Sequence, residues 1–104
     1  MAYRVEATFQ AARDIEEAIA YIGEDSVSAA RKWHSELQEL IQSLEEMPAR
    51  FPIIAEADIL KRPYRSAHHY SHRVIFRIDE GEKKVYVVRL YHGARKPLVP
   101  RDFR

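Results

Sequence analysis

The side chains best able to handle an anion gather in the second half of this chain. Arg73 opens one expected strand, and His92 and Arg95 lie just past the end of the strand expected to pair with it. Lys61, Arg62, Arg65, His68, His69, His72, Tyr91 and Lys96 are close enough in sequence to join them, and Arg77 and Arg89 lie within the same two strands. Guanidinium, ammonium and imidazole groups together hold a phosphate and stabilise charge growing on a phosphoryl oxygen. A histidine beside arginines can also move a proton near neutral pH. Attack by a ribose 2′-hydroxyl on its own phosphodiester needs those two services and no metal. The plainer reading is a set of exposed strand-end arginines beside a surface or capping histidine, because catalytic and structural networks look alike at this level.

Two other patterns carry less. His68-His69-x-x-His72 has a spacing that could hold a metal, with Glu56 or Asp58 as a carboxylate, but no cysteine helps and the segment lacks helical periodicity. Glu45 and Glu46 belong to a solvated helix face. With three glycines in the chain there is no phosphate-cradling loop, and no nucleophile elbow is present. None of these patterns calls for a cofactor.

Charge is divided sharply along the chain. Residues 1–56 hold 5 Lys/Arg against 11 Asp/Glu, a net of −6, whereas residues 57–104 hold 12 against 5, a net of +7. The formal total of +1 conceals this. Such segregation points to an acidic partner, either phosphate backbone or an acidic protein segment, or to pairing of the two halves within the fold. Cysteine is absent, which excludes a disulfide framework and thiolate chemistry and suits a reducing compartment. Met1 to Glu6 carries charges where a signal peptide needs an apolar run, and no apolar stretch approaches the ~18 residues of a membrane span. The expectation is a cytoplasmic protein without membrane partners.

The elements that must position these side chains read as one domain over residues 1–104. Tyr3, Val5 and Ala7 alternate with charged residues as in a short strand. Thr8 can cap a helix over about Gln10 to Ile22, with Ala12, Ile15, Ile19 and Ile22 as its stripe and Gly23 as its stop. Ser26 or Ser28 can cap a second helix of about 20 residues, striped by Ala30, Trp33, Leu37, Leu40, Ile41, Leu44 and Met47 and stopped by Pro48. Trp33 reads as core. Ile59 to Tyr64 is expected as an edge strand because of Pro63. A hairpin follows, with Val74, Phe76 and Ile78 in one strand, Asp79 to Glu82 as the turn, and Val85 to Leu90 in a central strand apolar on both faces. That turn sets Arg73 about opposite Val88, at the end of the sheet that His92 and Arg95 leave. Leu98 to Arg104 reads as a loose tail. The fold class is α+β: an N-terminal strand, an antiparallel helical hairpin, and a C-terminal antiparallel sheet with the hairpin on one face.

The run His72-Arg73-Val74-Ile75-Phe76-Arg77-Ile78-Asp79, followed by Val85-Tyr86-Val87-Val88-Arg89-Leu90-Tyr91-His92-Gly93-Ala94-Arg95, is similar to the C-terminal hairpin of RelE/ParE toxins. Ala12-Arg13-Asp14-Ile15 opening a helix and Pro48-Ala49-Arg50-Phe51-Pro52 closing the second also resemble that superfamily, over roughly residues 3–97. The resemblance implies the toxin half of a type II toxin–antitoxin pair of the plasmid-stabilisation type. Its partner would be a cognate antitoxin, usually encoded next to it, in a hetero-oligomer or with the toxin as a homodimer. It implies two possible targets. RelE-like and YoeB-like members cut mRNA in the ribosomal A site, and Arg73 falls on their strand arginine. His92 falls near the C-terminal histidine of the YoeB-like members, with a connection one residue longer, and Asp58 near their catalytic glutamate. The chain runs on past that histidine, however, and RelE's lysine-rich strand is reduced to Lys61 and Arg62. ParE-like members poison DNA gyrase without a nuclease centre and also carry a strand arginine and a histidine followed by arginine.

The long second helix resembles the ParE side, which makes a ParE-like gyrase inhibitor the first expectation. Arg73, Arg89 and Arg95 would then serve the sheet and the electrostatic capture of partners. The alternative is a metal-independent, ribosome-dependent endoribonuclease, with Arg73 and Arg95 on the phosphate and His92 or Tyr91 moving the proton. A third reading is a member that has lost toxicity and only binds its antitoxin. An acidic or amphipathic antitoxin segment is expected on the basic sheet side, added as a strand or a helix.

Overall fold

Local signals at Thr8 and Ser26 set the helical half of the molecule. The structure, a computed structural model, describes residues 2–93 and 97–103. Strand β1 (Arg4–Ala7) ends at Thr8, whose extended backbone and side-chain oxygen, accepting from the Ala11 N–H at 3.2 Å, start α1 (Phe9–Asp25). Ser26 ends that helix and starts the next. Its N–H donates to the Ile22 carbonyl, and its Oγ accepts from the Ala29 N–H at 3.1 Å to open α2 (Val27–Ser43). Between the two helices there is no loop beyond this one residue.

Gly23 was expected to stop α1, yet the helix passes through it. No glycine among the described residues has positive φ, and a Cβ at Gly23 would lie 3.8 Å from that of Ala30. The glycine therefore sits where α1 approaches α2, and Ser26 makes the turn three residues later. The second helix is shorter than its stripe suggests. Leu44 is fully buried as its cap, and the chain then turns through Met47, left-handed at φ 47° and exposed, so Met47 is no part of the core. The Arg50 guanidinium turns back onto the carbonyls of Glu46 and Met47 and the Ser43 hydroxyl, a cation at the negative end of α2.

No strand forms over Ile59–Tyr64. That stretch holds a single helical turn, α3 (Ala57–Leu60), closed by Lys61 at φ 63°, and the strand comes later as β2 (Arg65–His69). Pro63 has no N–H for a ladder, and the chain needs Ile54 and Tyr64 facing the sheet. β3 (His72–Asp79) and β4 (Lys84–His92) form the expected hairpin around Glu80–Lys83, with the Glu82 N–H held by Asp79 Oδ1 at 3.0 Å. The sheet order is β1-β4-β3-β2. The last three strands are antiparallel, and β1 joins β4 in parallel, so the sheet as a whole is mixed. Arg73 lies opposite Tyr91 rather than Val88, because the turn lies one residue later than expected and a bulge at Ile75/Phe76 shifts the register.

The sheet divides the core. Val74, Phe76, Val85, Val87 and Leu90 pack under the helices with Ala11, Trp33, Leu37 and Leu44. Ile75 and Tyr91 face the other side, with Ile54, Tyr64 and Leu98. Both central strands thus bury apolar residues on two faces. Residues 98–103 are no loose tail. Leu98 is fully buried, and a last helical turn (Pro100–Phe103) lays Phe103 flat on Tyr64, with ring centroids 4.8 Å apart. Among the described residues no helix is long and apolar enough to cross a membrane.

Candidate functional site

β4 outruns β1. The parallel pairing covers only Lys84–Val87, and from Val88 onwards α1 stands where a neighbouring strand would be. The Thr8 hydroxyl donates to the Val88 carbonyl at 3.2 Å, and Asp14 Oδ2 accepts from the Leu90 N–H at 3.0 Å. Side chains of the helix thereby satisfy the open strand edge.

Asp14 does more than this. It takes the Arg89 guanidinium side-on, with Nε at 2.7 Å from Oδ2 and Nη2 at 3.1 Å from Oδ1, and receives Gln10 Nε2 at 2.9 Å. The third arginine nitrogen, Nη1, donates to the Asp102 carbonyl, tying the C-terminal turn to the sheet. Hydrogen bonds donated to Asp14 push Arg89 further up from its ordinary range, against the cost of burial.

A second clamp lies on the outer face. Arg73 is bound bidentately by Glu56, at 2.8 Å from Nη2 to Oε2 and 3.2 Å from Nη1 to Oε1. Glu56 Oε2 also accepts from the Leu98 N–H at 3.1 Å. The two side chains are only 21% and 9% exposed. The Arg73 hydrogen bonds hold the Glu56 carboxyl down at about 2, with burial opposing and Leu98 assisting. At physiological pH the pair is a closed ion pair, with both terminal guanidinium nitrogens on the carboxylate.

Among the described residues, several members of the expected anion-binding set are held by other partners in the fold. Arg65 donates to the carbonyls of Phe51 at 2.7 Å and Ala49 at 3.2 Å. Arg77 lies over the Tyr86 ring at 4.4 Å. Tyr91 is buried in the outer cluster, 5.7 Å from its ring centroid to the Arg73 guanidinium. Lys61 and Arg62 are exposed beside α3. Arg95 and Lys96 lie outside the described residues. His92 meets His72 edge to face at 4.9 Å, His72 meets Trp33 at 5.5 Å, and His69 Nε2 lies 2.9 Å from the Trp33 carbonyl oxygen. Asp58, expected near a catalytic carboxylate position, is exposed; the carboxylate facing Arg73 is Glu56. Among the described residues no group of three or more His, Asp or Glu is placed to hold a metal.

Sequence reasoning missed the two carboxylates that organise this region. Asp14 had a readable signal, because it lies on the same helical face as Ala11 and Ile15, where a solvated carboxylate is out of place. Glu56 stands amid Ile54, Ala55 and Ala57 and offered a weaker sign of the same kind.

Known proteins place this arrangement. The sequence profile of a family described as the ParE toxin of the type II toxin–antitoxin system, parDE, matches residues 5–97. No curated protein sequence matches the chain. Two solved structures are similar in fold. One is of the toxin–antitoxin complex RelBE2 from Mycobacterium tuberculosis, 23% identical, with a TM-score of 0.63 over 88% of this chain and 99% of that one. The other is of the chromosomal ParDE system from P. aeruginosa, 16% identical, with a TM-score of 0.70 over 88% of this chain and 96% of that one.

Proposed function

Since the chain belongs to the family of ParE toxins of type II toxin–antitoxin systems, we propose that it is a binding poison of DNA gyrase, neutralised in the cytoplasm by a cognate antitoxin. The observation that carries this reading is the Glu56–Arg73 clamp. A ribonuclease built on this hairpin would need Arg73 on the scissile phosphate, and here the guanidinium is bound by a carboxylate at two points and largely covered. Arg89 is occupied in the same way by Asp14. Breaking such a pair to admit a phosphate leaves a partly buried carboxylate unpaired, at a cost of about 3–5 kcal/mol that a nuclease would meet in every turnover. These arginines hold the strands and the C-terminal turn together, and toxicity resides in surfaces rather than in proton transfer.

Purified chain added to gyrase is expected to inhibit supercoiling and accumulate cleaved DNA, and added to ribosomes with mRNA it is expected to leave the message intact. His92→Ala is expected to remain toxic. Loss of toxicity in a folded His92→Ala protein, together with mRNA cleavage by the wild type, would establish the ribonuclease instead.

A further inference from the structure

A cleft of about 680 Å³ lies where α1 replaces the missing strand beside β4. Ala18, Tyr21, Ile22, Trp33 and Leu90 give it apolar walls, and Glu17 is among its polar lining residues. Two rings stand at its rim in water, Tyr21 at 74% and Tyr70 at 66% exposed. Exposed aromatic rings beside an apolar cleft are the usual composition of a protein-binding surface.

The charge around the cleft says what fits. Its one permanent cation among the described residues, Arg89, is consumed by Asp14 and the Asp102 carbonyl, and His72 and His92 also line it. Among the described residues Glu17 is held by a 3.9 Å contact with Arg13, between two exposed side chains, which is worth little in water. Glu36 stands at the rim, accepting from the Tyr70 hydroxyl. The helix forming the outer wall, α1, carries one arginine against five carboxylates. Tyrosine faces beside carboxylates attract guanidinium and ammonium groups. The form of the occupant is limited as well. The Val88 carbonyl and Leu90 N–H already have Thr8 and Asp14 as partners, so an added strand would have to displace both.

We infer that this cleft takes a cationic amphipathic segment of the antitoxin, apolar residues against Trp33 and Leu90 and Arg or Lys side chains against Tyr21, Tyr70 and Glu17. The sign is opposite to the acidic segment on the basic sheet side that the charge count suggested, because Arg73 and Arg89 of the sheet are paired with Glu56 and Asp14 within the fold. The inference rests on the toxin reading above and deepens it by giving the chemistry of the partner.

The test is titration of the full chain with the antitoxin encoded beside it, by calorimetry at low and high salt. Glu17→Lys and Tyr21→Ala are compared with wild type after equal thermal melting confirms folding; both side chains are exposed. Each substitution is expected to weaken binding by about tenfold or more, and Glu17→Lys to flatten the salt dependence. Hydrogen exchange in the complex is expected to protect an Arg/Lys-bearing antitoxin segment together with the second half of α1. Wild-type affinity in both variants would overturn the cleft while leaving the toxin reading intact. Tighter binding by Glu17→Lys would overturn the sign of the partner. No binding by the wild-type chain would refute the toxin reading, and this inference with it.

Discussion

Replacing Glu56 by glutamine tests whether the outer clamp is a structural ion pair. The carboxyl sits at about 2 in the folded chain against an ordinary 4.5. At about 1.4 kcal/mol per pH unit, that depression is worth about 3 kcal/mol of stability. Because the folded value is the lower one, the contribution is complete above the unfolded value and is lost as pH falls towards the folded one. About 2 kcal/mol of it should be gone by pH 3. Glu56→Gln keeps an oxygen for the Leu98 N–H but leaves the Arg73 charge, 21% exposed, without its partner. A loss of about 2–3 kcal/mol at neutral pH follows, below the full figure for a buried pair because water still reaches the arginine. Urea unfolding near neutrality and near pH 3 measures both quantities, and the other carboxylates titrate in both proteins and cancel in the difference. Wild type should lose about 2 kcal/mol more than the variant over that interval. Equal losses, with equal stability at neutrality, would show that the clamp does not form and that Arg73 is available for other work.

Three further substitutions probe the remaining contacts. Asp14→Asn should destabilise by about 2–4 kcal/mol in the same unfolding assay, since it weakens the hold on Arg89 and on the open edge of β4 at once. Gly23→Ala should raise the melting temperature, by about 0.5–1 kcal/mol of stability, because the new methyl lies at ordinary contact distance from Ala30 and the helix gains propensity. A lowered melting point would mean the helices approach more closely there. Leu98→Ala should cost about 2–4 kcal/mol, the value for a fully buried leucine, whereas a residue in a loose tail would cost almost nothing.

Much of this architecture could be read from the residues, and the failures have physical causes. Thr8 and Ser26 announced themselves because capping is local, and the β3–β4 hairpin did so through strict alternation around an acidic turn. The order of strand, helical pair and strands followed from periodicity. Gly23 misled because the helix runs on through it to Ser26, without a left-handed turn there. Ile59 to Tyr64 looked like a strand by composition, but Leu60 and Tyr64 serve the outer cluster, while the actual strand, Arg65–His69, is too polar to stand out. The register of Arg73 depended on a bulge that nothing local marks. For the candidate site the types were visible and the pairings were not. Arg73 and Arg89 look like anion binders until Glu56 and Asp14, 17 and 75 residues away, are brought against them.

The central claim, that the chain poisons gyrase by binding and is not a nuclease, is tested most directly by inducing it alone under tight control and following DNA and protein synthesis by pulse labelling. Early arrest of DNA synthesis with translation continuing is the predicted result. Immediate arrest of translation, with DNA synthesis falling only afterwards, would contradict it.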